Sequence, residues 1–175
     1  MKVLALDVAT NCGVAVGSSG GDPKAWSVDL GKGRSEGSRL SQVLRLTDGL
    51  IKTHSPDFVA VEAPIEDKNA NAYLIKLVGC VEGCCANRGV QCEIMHSGTI
   101  RKHFLGKAYT SRDFPHLKPA AAKKAIKSLV MDQCKRLKWM VEDDDSADAC
   151  ALWDYACATR ARGYQSAPIG GLFRG

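Results

Sequence analysis

Residues 2–16 read KVLALDVATNCGVAV, and this stretch decides the fold. Val3 to Leu6 is a short apolar run that stops at Asp7, the pattern of a buried strand ending in an acid. A brief turn follows, and Gly13 to Val16 opens a second strand. The Gly and Ser cluster at 17–21 makes a hairpin, and Ala25 to Leu30 fits a third strand.

Outward from there the periodicity changes. Residues 36–53 place Leu40, Val43, Leu44, Thr47, Leu50 and Ile51 at helical spacing. Pro56 and Asp57 mark a turn, and Phe58 to Val61 is a fourth strand running into Glu62. Residues 69–87 read as a helix rich in small residues, Val90 to Met95 as a fifth strand, and 97–105 as a short helix. Gly106, Pro115 and Pro119 make 106–119 a flexible loop. Residues 120–138 form a basic helix with Ile126, Leu129, Val130, Cys134 and Leu137 inward, and 146–162 a last helix. Strands early, then helix alternating with strand, predict an α/β fold: a five-stranded mixed sheet with helices on both faces. Residues 1–162 are expected to form one domain. The tail 163–175 holds five Gly or Pro in thirteen residues and is expected to be loosely ordered.

The composition is globular. The chain has 175 residues, 45% hydrophobic and 25% charged, which excludes collagen-like, mucin-like and fully disordered chains. No apolar run approaches the roughly 18 residues that span a bilayer. The first segment lacks a small-residue cleavage site, so no signal peptide is read and a cytoplasmic protein is expected. The eight cysteines sit mostly inside apolar periodic segments and read as reduced core thiols. Cys80, Cys84, Cys85 and Cys92 are the alternative metal set, but they lack a C-x-x-C pair.

The net charge of +5 is unevenly spread. Residues 98–140 hold eleven Lys or Arg against Asp113 and Asp132, whereas 141–154 hold six acids and no base. A basic stretch abutting an acidic knot points to a polyanion held against a metal-binding carboxylate site. Four carboxylates are placed to build one. Asp7 and Glu62 end strands, where an uncompensated acid is costly. Asp145 and Asp148 lie three apart at the start of the last helix and share a face. Converging acids need divalent cations, and all-oxygen ligation suits Mg²⁺ or Mn²⁺. Two such ions about 4 Å apart clamp the attacking and leaving oxygens of a phosphodiester. Each acid also has a plainer reading. Asp7 could start a turn and Glu62 could be a strand-end charge. Asp145 could be an N-cap with Asp148 as its capping-box partner.

The order strand-Asp, strand-Glu, helix-Asp-x-x-Asp resembles the RuvC family of Holliday-junction resolvases, within the RNase H-like nucleases. LALDVATNCGVAV resembles the family's opening segment, and VEAPIEDKNANAYLIKLVGCVEG its Glu strand and following helix. SGTIRKHFLGK resembles the stretch before the basic helix, and DSADACALWDYA the closing helix. The resemblance runs from about residue 2 to 160. It implies an endonuclease that nicks opposed strands of a four-way junction, leaving 5′-phosphate and 3′-hydroxyl ends. Asp7, Glu62, Asp145 and Asp148 would hold two Mg²⁺, with Mn²⁺ able to substitute; Asp144 takes the place of Asp145 if the register slips by one.

Lys123 or Lys124 falls where the family has a functional lysine, and Lys124 is taken as the active-site one. Arg101, Lys102, Lys107, Lys118, Lys123, Lys127 and Asn69 would contact DNA. A homodimer through the 69–87 helix is implied. Ile65 stands where the family tends to carry an aromatic residue, which keeps flaps, replication forks and structured RNA as the alternative substrates. A non-catalytic DNA-binding module and a sugar-kinase-like ATPase are the more distant rivals. Trp26, Trp139 and Trp153 read as core or interface residues. His103 and His116 remain as phosphate contacts.

Overall fold

The computed structural model describes residues 1–64 and 72–166. Ile65, Asn69, the first residues of the 69–87 segment and residues 167–175 of the tail lie outside the described residues. The elements, in chain order, are β1 (Lys2–Asp7), β2 (Asn11–Ser18), β3 (Lys24–Asp29), α1 (Glu36–His54), β4 (Phe58–Glu62), α2 (Ala72–Arg88), β5 (Gln91–Met95), α3 (Ser97–Leu105), α4 (Pro119–Arg136) and α5 (Asp144–Arg160). The five strands form one sheet in the order β3-β2-β1-β4-β5. β2 pairs antiparallel with β1 and β3, while β1–β4 and β4–β5 are parallel, giving the expected mixed sheet.

Both faces of the sheet are covered because alternate residues of each central strand are apolar on both sides. Val3, Ala5, Ala15, Phe58 and Ala60 face α3, α4 and α5, where Phe104, Val130, Cys134 and Trp153 complete a core. Leu4, Leu6, Val14, Val59 and Val61 face α1 and α2, against Val43, Leu50, Ile51, Leu77 and Val81. α5 lies on the central strands and is buried nearly all round. Its small residues Ala147, Ala149, Cys150, Ala151, Ala156 and Cys157 let its axis approach the sheet closely. All eight cysteines are free, and five of them have no exposed surface at all, in keeping with core thiols. Trp139 and Trp153 meet edge to face in the same core, so neither is a base-stacking platform.

Three local features differ from the sequence expectation. Residues 106–119 are not structureless: Thr110 and Asp113 form a reciprocal capping box around a 3₁₀ turn at Ser111–Asp113. Asp113 also pairs with Lys107, and the rings of Tyr109 and Phe114 meet. His103 is not free for phosphate, since its Nε2 lies 2.8 Å from the buried carboxylate of Asp154. The Tyr164 hydroxyl donates to the same carboxylate at 2.5 Å, which ties the segment after α5 back to α3. Finally, α5 starts two residues early. Its N-cap is Asp143, whose Oδ1 accepts from the Ser146 backbone N–H at 2.8 Å while the Asp143 N–H donates to Ser146 Oγ at 3.1 Å. Asp145 and Asp148 are therefore not the cap and its partner, which leaves both carboxylates without a capping duty.

Candidate active site

Asp7 and Glu62 meet because β1 and β4 are adjacent and parallel. The last registered pair is Leu6 with Val61, and the acids are the next residue on each strand. The first turn of α5 is seated over this sheet edge. Gly13 faces Asp7 across the β1–β2 ladder, and the Asp145 backbone comes so close to Gly13 that a Cβ there would lie 2.1 Å from the Asp145 carbonyl oxygen. A glycine is required at this spot by space, not by dihedral angle. Asp145 and Asp148 therefore ride on a turn fixed against the strand ends.

The four acids lie near enough to act on one another's charge. Burial, then the charges of Glu62, Asp148 and Asp145, push the Asp7 carboxyl well above the ordinary carboxylate range. Burial and Asp148 raise Glu62 from 4.5 to about 7, with Arg101 and Lys127 opposing. Burial raises Asp148 to about 6 against the opposing pull of Lys127 and Arg101. Asp7, Glu62 and Asp148 are thus short of positive charge.

Lys127, from α4, stands among them. Its Nζ is 2.7 Å from Asp144 Oδ2, 3.2 Å from Asp145 Oδ1 and 3.9 Å from Asp148 Oδ2. Burial works against its charge, but Asp144, Asp148 and Asp145 outweigh that and hold the amine protonated. This departs from the expectation that Lys124 is the active-site lysine. Lys124 is exposed, and no described contact joins it to the acids, because α4 turns Ala122, Ile126 and Val130 inward and carries Lys127, not Lys124, toward α5. Of the residues expected to meet DNA, Arg101 is close enough to influence Glu62 and Asp148, and Lys107 pairs with Asp113. Lys102 and Lys123 are exposed, and Lys118 is the N-cap residue of α4.

Among the described residues, no three Asp, Glu, His or Cys side chains are already drawn to metal-ligating distance of one point. The donor set nevertheless suits a hard divalent cation. It is all oxygen, and Asp7, Glu62 and Asp148 are raised by burial first and by neighbouring acids second, a cost that such an ion would relieve. Asp7, Glu62, Asp145 and Asp148 are the residues placed to hold it.

Burial, with the repulsion between the acids, sets a pH dependence. A carboxyl whose folded-state pKa lies above its unfolded value binds its proton more tightly when folded, so its contribution to stability is lost as pH rises between the two. For Glu62 that window runs from 4.5 to about 7. Metal-free protein should lose stability over this window, on the order of 1–3 kcal/mol per such group, and Mg²⁺ should restore it at pH 7.5. Asp29, Asp48, Asp113 and Asp143 are lowered and act below it. Melting temperatures at pH 5 and 7.5, with Mg²⁺ and with EDTA, check this; a metal-free protein equally stable at both would refute it.

No family model and no curated protein sequence matches the chain. Solved structures do. RuvC of Thermus thermophilus superposes with a TM-score of 0.64 at 19% identity, over 91% of this chain and 96% of that one. T. thermophilus RuvC in complex with a Holliday junction substrate gives 0.64 at 16% identity, over 92% and 96%. The yeast mitochondrial Holliday junction resolvase gives 0.56 at 10% identity, over 86% and 75%. The fold is therefore of the RNase H-like α/β class. Within that class, the chain is built like the RuvC resolvases over nearly its whole length. No described helix is long and apolar enough to cross a membrane.

Proposed function

We propose that this protein is a divalent-metal-dependent endonuclease that resolves four-way DNA junctions as a homodimer. The reading is carried by one observation: two strand-end acids on adjacent parallel strands, with the Asp145 and Asp148 turn seated over them. Mg²⁺ bound there would lower the pKa of a water and stabilise charge on the phosphodiester oxygens. The chain's own residues do the rest. Asp7, Glu62, Asp145 and Asp148 hold the ion, and Arg101 and Lys127 bring positive charge to the same edge. Lys102, Lys118 and Lys123 supply sequence-independent phosphate contacts on α3 and α4. The expected ends are a 5′-phosphate and a 3′-hydroxyl.

A four-way junction is close to two-fold symmetric and needs two opposed cuts, hence two copies of the site. α2 offers a surface for that. Gly79 and Gly83 are exposed, nothing lies within 4 Å of where their Cβ atoms would be, and the nearby Ile75 is 49% exposed. Gly79 and Gly83 thus do not serve packing on their own sheet.

The test is a panel of end-labelled substrates incubated with Mg²⁺ or EDTA: four-way junction, flap, replication fork, plain duplex and RNA hairpin. Paired, ligatable nicks in opposed strands of the junction, dependent on Mg²⁺, are expected. Faster cleavage of the flap, fork or hairpin would transfer the activity to that substrate, and no cleavage of any would sink the nuclease reading.

A further inference from the structure

The Lys127 ammonium is in an unusual position for a residue on a helix that is otherwise read as a phosphate-binding surface. It is only partly exposed. It reaches three acids of the neighbouring helix, Asp144, Asp145 and Asp148, at 2.7, 3.2 and 3.9 Å. Two of those three are residues placed to hold the metal. Oxygen-to-Mg²⁺ distances are about 2.1 Å, so an ion on Asp145 and Asp148 and an ammonium on the same oxygens would be crowded cations in a poorly solvated pocket. They exclude one another by charge. The lysine is the partner able to leave: its side chain is 37% exposed, and its four-carbon stem rotates freely where the carboxylates are fixed to α5.

We infer that Lys127 is an internal counter-cation, a positioning residue that fills the carboxylate cluster while metal is absent and is displaced from it when metal binds. The inference rests on the proposed metal site and adds to it. A displaced ammonium at this edge faces the side on which Arg101 and the basic residues of α3 and α4 lie, so a backbone phosphate is its natural next partner. Phosphate binding by Lys127 and metal binding by Asp145 and Asp148 then favour each other, since each removes the competitor of the other. The site would hold metal less tightly until nucleic acid arrives, which weakens metal-dependent cleavage away from a bound substrate.

Calorimetric titration of Mg²⁺ alone into the metal-free full-length protein separates the possibilities. Lys127→Met should bind Mg²⁺ about tenfold tighter than wild type, within the usual range for one coupled contact of about 5- to 150-fold. Lys127→Arg, which keeps the charge, should stay near wild type. Lys124→Met removes a positive charge from the same helix without touching the acids, and should change affinity less than about threefold. If Lys127→Met unfolds, the ε-carbon signal of Lys127 in the wild-type protein, followed by NMR during the same titration, should move as Mg²⁺ is added. Equal Mg²⁺ affinity in wild type and both methionine variants, or an ε-carbon signal that does not move while metal binds, overturns the inference and leaves the metal site standing. No Mg²⁺ binding by any variant overturns both.

Discussion

Asp7→Asn is expected to reduce junction cleavage by at least about a thousandfold and, in the same protein, to raise the melting temperature of the metal-free form. The two effects have one cause. Asp7 is half-buried at the end of β1, where desolvation and the charges of Glu62, Asp148 and Asp145 all disfavour its ionised form. Asparagine keeps the shape and removes the charge, so repulsion among the remaining acids falls. Each kcal/mol of relief is worth about 2–4 °C in a chain of this size. Cleavage suffers because a neutral amide is a poor ligand for a hard cation, and a metal supplies several kcal/mol of transition-state stabilisation. At 1.36 kcal/mol per factor of ten, about 4 kcal/mol is a thousandfold. The sign of the stability change is the informative part. A buried residue kept for packing lowers the melting temperature when altered, whereas one kept for chemistry against its own electrostatics raises it. An Asn variant that cleaves at the wild-type rate removes Asp7 from the reaction. One that melts lower shows Asp7 to be a structural acid.

Much of the fold can be read from residue order alone, for identifiable reasons. β1 and β4 are short apolar runs ending in acids, and nothing competes with that reading. α3 falls at 97–105 as expected, with Gly106 in the left-handed region just beyond it. The four acids of the candidate site stand out in the sequence through their order, strand-Asp, strand-Glu, helix-Asp-x-x-Asp, although each position taken alone also has a plainer structural reading. What stayed illegible depends on contacts between distant segments. Six acids crowd 142–154, and several of them could cap α5. Asp143 is selected because Ser146 closes the box and Ser27, on the edge strand β3, donates to its carboxylate. The Ser146 half is local, but the Ser27 half comes from a distant strand and is invisible in the local pattern.

The phase of α4 is similar. Leu129 and Leu137 look as apolar as Ile126 and Val130, yet both are only half-buried, while the polar Gln133 goes inside. That shift in phase is what moves the acid-facing lysine from Lys124 to Lys127. The 106–119 segment misleads for a different reason. Its Pro and Gly content resembles that of a flexible loop, but Thr110, Asp113 and Lys107 satisfy one another at short range.

Gly13 is the site residue that sequence reasoning overlooked, and its substitution is the second large effect to be expected. Gly13→Ala should lower the melting temperature by several degrees and weaken Mg²⁺ binding at least about tenfold. An ideal Cβ on Gly13 would lie 2.1 Å from the Asp145 carbonyl oxygen, 2.7 Å from its carbonyl carbon and 3.2 Å from Ala149 Cβ. The first two are backbone atoms of a helix turn and cannot rotate away, so the turn or the strand has to move bodily. Overpacking of this kind costs about 1–3 kcal/mol and sometimes more. The displacement falls on the turn that carries Asp145 and Asp148, while Asp7 and Glu62 stay with the sheet, so the four carboxylates are pulled apart. An extra ångström of separation matters little to a hydrophobic core but much to ligands that must share one small ion. Gly49→Ala, on the exposed side of α1 where nothing lies within 4 Å, is the matched control and should stabilise by about 0.5–1 kcal/mol. Melting curves and Mg²⁺ calorimetry on both variants decide the matter. If Gly13→Ala keeps the wild-type melting temperature and metal affinity, α5 is not seated on β2 as described here, and the acids of the last helix do not belong with those of the sheet.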